Sequence, residues 1–85
     1  MPNLLAKSGK NISKEKNEIV KVWFSEEDIF IELKDGRTYH KPIILYHNLS
    51  KGTPEQRLQF ELWNNGRWIH WEGLDEDLSL EGFLA

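Results

Sequence analysis

The residues best able to do chemistry in this chain of 85 residues are three histidines, five serines and a dense acidic stretch near the C-terminus. His40, His47 and His70 are the only imidazoles, and no two have the i,i+4 spacing that sets two metal ligands on one helical face. With no cysteine in the chain, a zinc site would have to be assembled across elements from histidines and carboxylates alone. A nucleophile needs a base beside it and a third group to orient that base. Ser8, Ser13, Ser25, Ser50 and Ser79 sit in tail, loop or cap contexts, and none lies in a G-x-S-x-G elbow. Neither phosphate-cradling glycine pattern is present, G-x-x-x-x-G-K-[ST] or G-x-G-x-x-G. Asp75 and Asp77 could serve as acid and base or hold a hard cation, but they lack the D-x-[DN]-x-[DN]-G calcium loop. The expectation is a protein that is not an enzyme and has no cofactor and no metal site.

Binding chemistry is better represented. Trp63, Trp68 and Trp71 fall within nine residues. In an extended run from Arg67 to Trp71, Ile69 and Trp71 share one face, and Trp68 and His70 share the other. Ile69 and Trp71 read as core. Trp68 reads as exposed, and tryptophan is enriched at the centres of protein interfaces. Asp75, Glu76 and Asp77 are adjacent carboxylates with no basic residue between Glu72 and Glu81. They form either a solvated acidic turn or a surface facing a cationic partner. The expected partner-binding residues are Trp68, His70, Asp75, Glu76 and Asp77. Bases could stack on these indoles, but the neighbouring carboxylates oppose a phosphate backbone.

The elements that must position these residues follow from periodicity. Val20, Val22 and Phe24 share a face of a β-branched and aromatic run. Ile29, Ile31 and Leu33 alternate with Phe30, Glu32 and Lys34 in a second strand. Asp35-Gly36 signals a two-residue hairpin turn, which would pair Leu33 with Thr38 and set His40 on the apolar face. Pro42 ends the third strand. Ile43 to Leu49 suggests one or two helical turns. Thr53-Pro54-Glu55-Gln56 carries a capping box and a proline at the first helical position, which predicts a helix to Asn64 stopped by Gly66. Residues 67–71 form a further strand that rejoins the sheet. Residues 74–78 read as irregular, and Ser79 caps a last short helix. The predicted fold is α+β, a small antiparallel sheet built as a three-strand meander, a helix and a fourth strand, with a short C-terminal helix.

Residues 18–85 read as a single α+β domain and residues 1–17 as a flexible basic tail. Residues 1–21 carry Lys7, Lys10, Lys14, Lys16 and Lys21 against Glu15 and Glu18, an excess of three positive charges in a chain of net charge −3. The remainder is therefore acidic, unlike a nucleic-acid-binding domain with a basic stripe. The lack of cysteine favours a reducing, cytoplasmic setting, and no apolar run is long enough to span a bilayer.

Asp35-Gly36-Arg37, the Pro42 segment, Thr53-Pro54-Glu55-Gln56-Arg57 and the block Gly66-Arg67-Trp68-Ile69-His70-Trp71-Glu72-Gly73-Leu74-Asp75-Glu76-Asp77-Leu78-Ser79 resemble a bacterial family, domain of unknown function 2442. The resemblance covers residues 18–85 and rests chiefly on the last block. It implies a small α+β domain without known enzyme activity. Its genes often lie beside a small toxin-like gene, which implies a protein-interaction module acting as an antitoxin-like partner, with a small cationic toxin-like protein bound to the acidic domain. The alternative is a nucleic-acid-binding regulator that uses the basic N-terminal tail and the Trp cluster.

Overall fold

The computed structural model describes residues 17–85, so the expected basic tail lies almost wholly outside the described residues. The first sheet contains β1 (Ile19–Phe24), β2 (Asp28–Leu33) and β3 (Thr38–Pro42), antiparallel and in the order β1-β2-β3. Strict alternation along β2 buries Ile29, Ile31 and Leu33 on one face. β1 departs from simple alternation. Its register shifts between Ile19 and Lys21, a bulge that turns Val20 outward and leaves Ile19 and Val22 inside. Val20 therefore does not share the buried face with Val22, as period two suggested.

The β2–β3 turn also differs by one residue. The Gly36 N–H donates to the Leu33 carbonyl at 2.8 Å, and the Leu33 N–H donates to Arg37 O at 2.8 Å. The loop is thus three residues, Lys34 to Gly36, with Gly36 at φ +93°. Glu32, rather than Leu33, faces Thr38. A one-residue slip exchanges the two faces of a strand. His40 accordingly lies on the outer face beside Phe30, not on the apolar face, and Tyr39 packs against the core instead.

After one 3-10 turn at Ile43–Leu45, two short helices follow, α1 (His47–Lys51) and α2 (Pro54–Arg57). The capping box forms as the sequence predicts: Gln56 N–H donates to Thr53 Oγ1 at 3.1 Å and Thr53 N–H to Gln56 Oε1 at 2.9 Å. The helix nevertheless ends at Arg57 rather than Asn64. Leu58, Phe60 and Trp63 point all round a helical cylinder, and so small a domain cannot cover that whole girth. Extending the chain gives Phe60 a place against Trp71 at 6.3 Å between ring centroids. Glu61–Trp63 then becomes β4. The Arg57 guanidinium donates to Leu49 O and Ser50 O at 3.0 and 3.2 Å, satisfying carbonyls at the end of α1.

Residues 67–71 do not rejoin the first sheet. β5 (Trp68–Trp71) lies at the centre of a second antiparallel sheet, between β4 and β6 (Glu76–Ser79), so the segment expected to be irregular supplies a strand. The Ser79 hydroxyl then accepts from Gly82 N–H at 2.9 Å and starts α3 (Leu80–Leu84). Ile69, Trp71, Leu78, Leu80 and Phe83 meet Ile19, Ile29, Ile31, Leu33, Ile43 and Leu49 in one apolar core. The architecture is α+β, with two three-stranded antiparallel sheets and short helices.

Two substitutions test this packing by chemical denaturation. Trp71 is fully buried and its indole N–H donates to Arg57 O at 2.9 Å. Trp71→Ala should therefore cost roughly 3–5 kcal/mol, and Trp68→Ala about 1 kcal/mol or less. Equal losses would contradict the assignment of faces. Gly66 has φ +78°, and a Cβ there would stand 2.5 Å from Ile19 O. Gly66→Ala should cost about 2 kcal/mol or more, and an unchanged midpoint would refute the close contact between the β4–β5 turn and β1.

Candidate functional site

The alternation that sends Ile69 and Trp71 inward sends Trp68 and His70 outward. Cross-strand register fills in the rest of that outer face. Trp63 faces Trp68, Glu61 faces His70, Asp77 faces His70 and Ser79 faces Trp68. The outer side of the second sheet therefore carries two tryptophans and a histidine among carboxylates. Trp63 and Trp68 keep 45% and 40% of their surface exposed, unusual for two adjacent indoles in so small a domain.

His70 is the centre of the group. Its Nδ1 lies 2.5 Å from Asp77 Oδ1 and its Nε2 lies 2.8 Å from Glu72 Oε1. A neutral imidazole has one N–H and can donate to one of these carboxylates only, whereas the imidazolium donates to both. The Trp63 ring stacks over it, with centroids 3.9 Å apart and planes 19° apart, so only 13% of the His70 side chain is exposed. The Trp63 indole N–H donates in turn to Glu61 Oε1 at 2.9 Å, which fixes the ring. The hydrogen bond to Glu72, then the one to Asp77, raises the His70 pKa above its ordinary 6.5, and partial desolvation opposes the rise. With His70 protonated, Glu61, Glu72 and Asp77 leave this face two charges negative. Beside the stack is a shallow cleft of about 330 Å³ lined by Trp63, Asn64, Trp68 and Asp77.

The structure thus brings together Trp68, His70 and Asp77 of the five residues expected to bind a partner. It separates the other two. Asp75 occupies a turn at φ +54°, where its carbonyl accepts from the Asn48 side chain at 3.0 Å. Glu76 faces Trp71 in the register, on the opposite parity from Asp77. Burial, and then the charge of Glu76, raises the pKa of the Tyr46 phenol above its usual value, so Glu76 acts on the inner side of the sheet. Asp75 sits in the turn, and the adjacent strand residues Glu76 and Asp77 point to opposite faces, so the acidic run is not one surface.

Sequence reasoning missed Glu61, Trp63 and Glu72. A signal was present in Asn65-Gly66, flanked by Glu61-Leu62-Trp63 and Trp68-Ile69-His70-Trp71. Asn-Gly between apolar runs marks a hairpin, and a hairpin centred there pairs Trp63 with Trp68. Asn64, Asn65 and Gly66 all take positive φ in this turn. Among the described residues, no group of three or more His, Asp or Glu side chains has a metal-binding arrangement. No described helix is long and apolar enough to cross a membrane.

The fold is that of a small α+β domain whose second sheet presents an aromatic, acidic outer face. The chain belongs to the family described as Protein of unknown function (DUF2442), which matches residues 19–85. It is similar to a crystal structure of a protein of unknown function from Rhodospirillum rubrum ATCC 11170, with a TM-score of 0.72 and 28% sequence identity over 81% of this chain and 86% of that one. No curated protein matches the chain.

The His70 geometry has a pH consequence. A histidine pKa raised on folding contributes stability that is fully present below the unfolded value of 6.5 and is lost as pH rises through the higher folded value. The urea midpoint of the wild type should fall across that window, and His70→Gln should flatten the dependence. Asp77→Asn should lower the midpoint of the His70 imidazole titration followed by NMR. A His70 titration that ignores Asp77→Asn would contradict the double hydrogen bond.

Proposed function

We propose that this domain is a non-catalytic protein-interaction module whose partner docks on the outer face of β4, β5 and β6. One observation carries the reading: Trp63 and Trp68 stand paired and exposed on a sheet whose opposite face buries Ile69, Trp71 and Leu78 in the core. Such indoles supply large, rigid contact area at little entropic cost, and they concentrate binding energy at interface centres. The surrounding Glu61, Glu72 and Asp77 favour a cationic partner, because complementary fields speed encounter and penalise wrong partners. A small basic protein fits this face. An antitoxin-like role in a two-protein bacterial system, in a reducing cytoplasm, is the form of the proposal that the family resemblance supports. The alternative, a regulator that binds nucleic acid through the Trp cluster, is opposed by the same carboxylates, which would repel a phosphate backbone.

Wild-type protein, Trp68→Ala and Ile44→Ala should each be immobilised and exposed to a native cell extract. Ile44 is exposed on the 3-10 turn and serves as an apolar control outside the sheet. One basic protein should be retained by wild type and Ile44→Ala and lost with Trp68→Ala. With that partner purified, Glu72→Lys should slow association, and the deficit should shrink as salt rises. Equal capture by all three proteins would move the interface elsewhere. Retention of generic DNA at low salt, lost with Trp68→Ala, would favour the nucleic-acid reading.

A further inference from the structure

We propose that the cleft lined by Trp63, Asn64, Trp68 and Asp77 is a receptor for an arginine side chain of the docking protein. This rests on the docking reading above and names the chemistry of the group that enters. The two indoles are cross-strand partners on one sheet, and both line the cleft. Two contacts position Trp63: its N–H donates to Glu61 Oε1 at 2.9 Å, and the His70 ring stacks on it with centroids 3.9 Å apart. Asp77 closes the cleft. Its Oδ1 is committed to His70, while its side chain lines the cleft and remains 53% exposed, so the carboxylate keeps acceptor capacity beyond the His70 bond. Aromatic surface and a carboxylate thus lie next to each other before any ligand arrives.

A guanidinium matches both features at once. It is planar and weakly hydrated, stacks on an indole, and turns an N–H fork toward a carboxylate. Other ligand chemistries match only part of the cleft. A lysine ammonium could pair with Asp77, but it keeps its hydration and gains less from a flat ring. An apolar or neutral aromatic side chain would cover the Asp77 carboxylate without giving it a donor. An anion would meet Asp77 together with Glu61 and Glu72. At about 330 Å³ the cleft is at the small end of ligand sites, suited to one side chain rather than a nucleotide or large cofactor. Within the protein itself, indoles already carry nitrogen-bearing groups on their faces. The Lys21 ammonium sits 5.1 Å from the Trp23 ring centre, and the His70 ring, held by two carboxylates, stacks on Trp63.

The test uses isotope-labelled full chain and three short blocked peptides, Gly-Arg-Gly, Gly-Lys-Gly and Gly-citrulline-Gly. Citrulline keeps the shape of arginine and removes its charge. The indole N–H resonances of Trp63 and Trp68 should shift saturably with the arginine peptide. Lysine should bind about threefold more weakly, the difference that stacking on an exposed ring supplies. Citrulline should leave both resonances in place. Trp68→Ala and Asp77→Asn should each weaken the arginine response. Because Asp77→Asn also disturbs His70, the wild-type comparison of the three peptides carries the decision. Equal shifts with citrulline would overturn the proposal. If a partner is lost with Trp68→Ala but the arginine peptide moves neither indole, the arginine site falls and the docking face stands. If arginine binds but no partner depends on Trp68, the docking face falls instead.

Discussion

The two sheets of this protein meet where a turn has no side chain. Gly66 ends the run of positive φ that reverses the chain between β4 and β5, and its carbonyl accepts the Ile19 N–H at 2.8 Å. Any Cβ there would press into the backbone of Ile19, so the contact between the sheets is backbone against backbone. The rest of the structure depends on this closeness. It brings Ile19 into the shared core with Ile69 and Trp71, and it aligns the β4–β5 hairpin against the bulged start of β1. The bulge itself answers the same constraint, since it keeps both Ile19 and Val22 inward while Val20 turns to solvent.

β5 then serves two purposes through the pleat alone. One side of the strand contributes Ile69 and Trp71 to the core, and the other presents Trp68 and His70. The candidate site consequently has a rigid floor, which lowers the ordering cost of binding. The polar groups on the outer face hold one another in place. Glu61 fixes Trp63, Trp63 covers His70, and His70 is gripped by Glu72 and Asp77. The core below needs no such network. Its buried residues are all apolar, and among the described residues no buried side-chain polar atom lacks a partner. Charged contacts therefore lie on the surface, where they affect recognition more than folding.

Much of the first sheet was legible in the sequence, because alternation along Ile29-Phe30-Ile31-Glu32-Leu33 leaves a half-buried strand as its only comfortable conformation. The Thr53 capping box and the Ser79 cap were legible too, since each is completed within four residues. The opposite faces of Trp68 and Trp71 followed from parity alone, which needs no knowledge of neighbouring strands. The same local arithmetic failed at Val20 and His40, where one extra residue in a bulge or turn inverted a face.

The sequence by itself determined the α+β class, the Asp35-Gly36 reversal, the helix start at Thr53 and the candidacy of three site residues, Trp68, His70 and Asp77. Tertiary structure alone decided where the helix stopped, that Glu61–Trp63 and Glu76–Ser79 became strands, and that Trp63, Glu61 and Glu72 would join His70. It also decided that Asp77 would stand with His70 while Glu76 fell on the other parity, opposite Trp71. The physical reason is range. Caps, turns and alternation are settled by residues a few positions apart. The fate of residues 58–63 was settled by whether distant Trp68 to Trp71 offered a strand to pair with and a ring to cover.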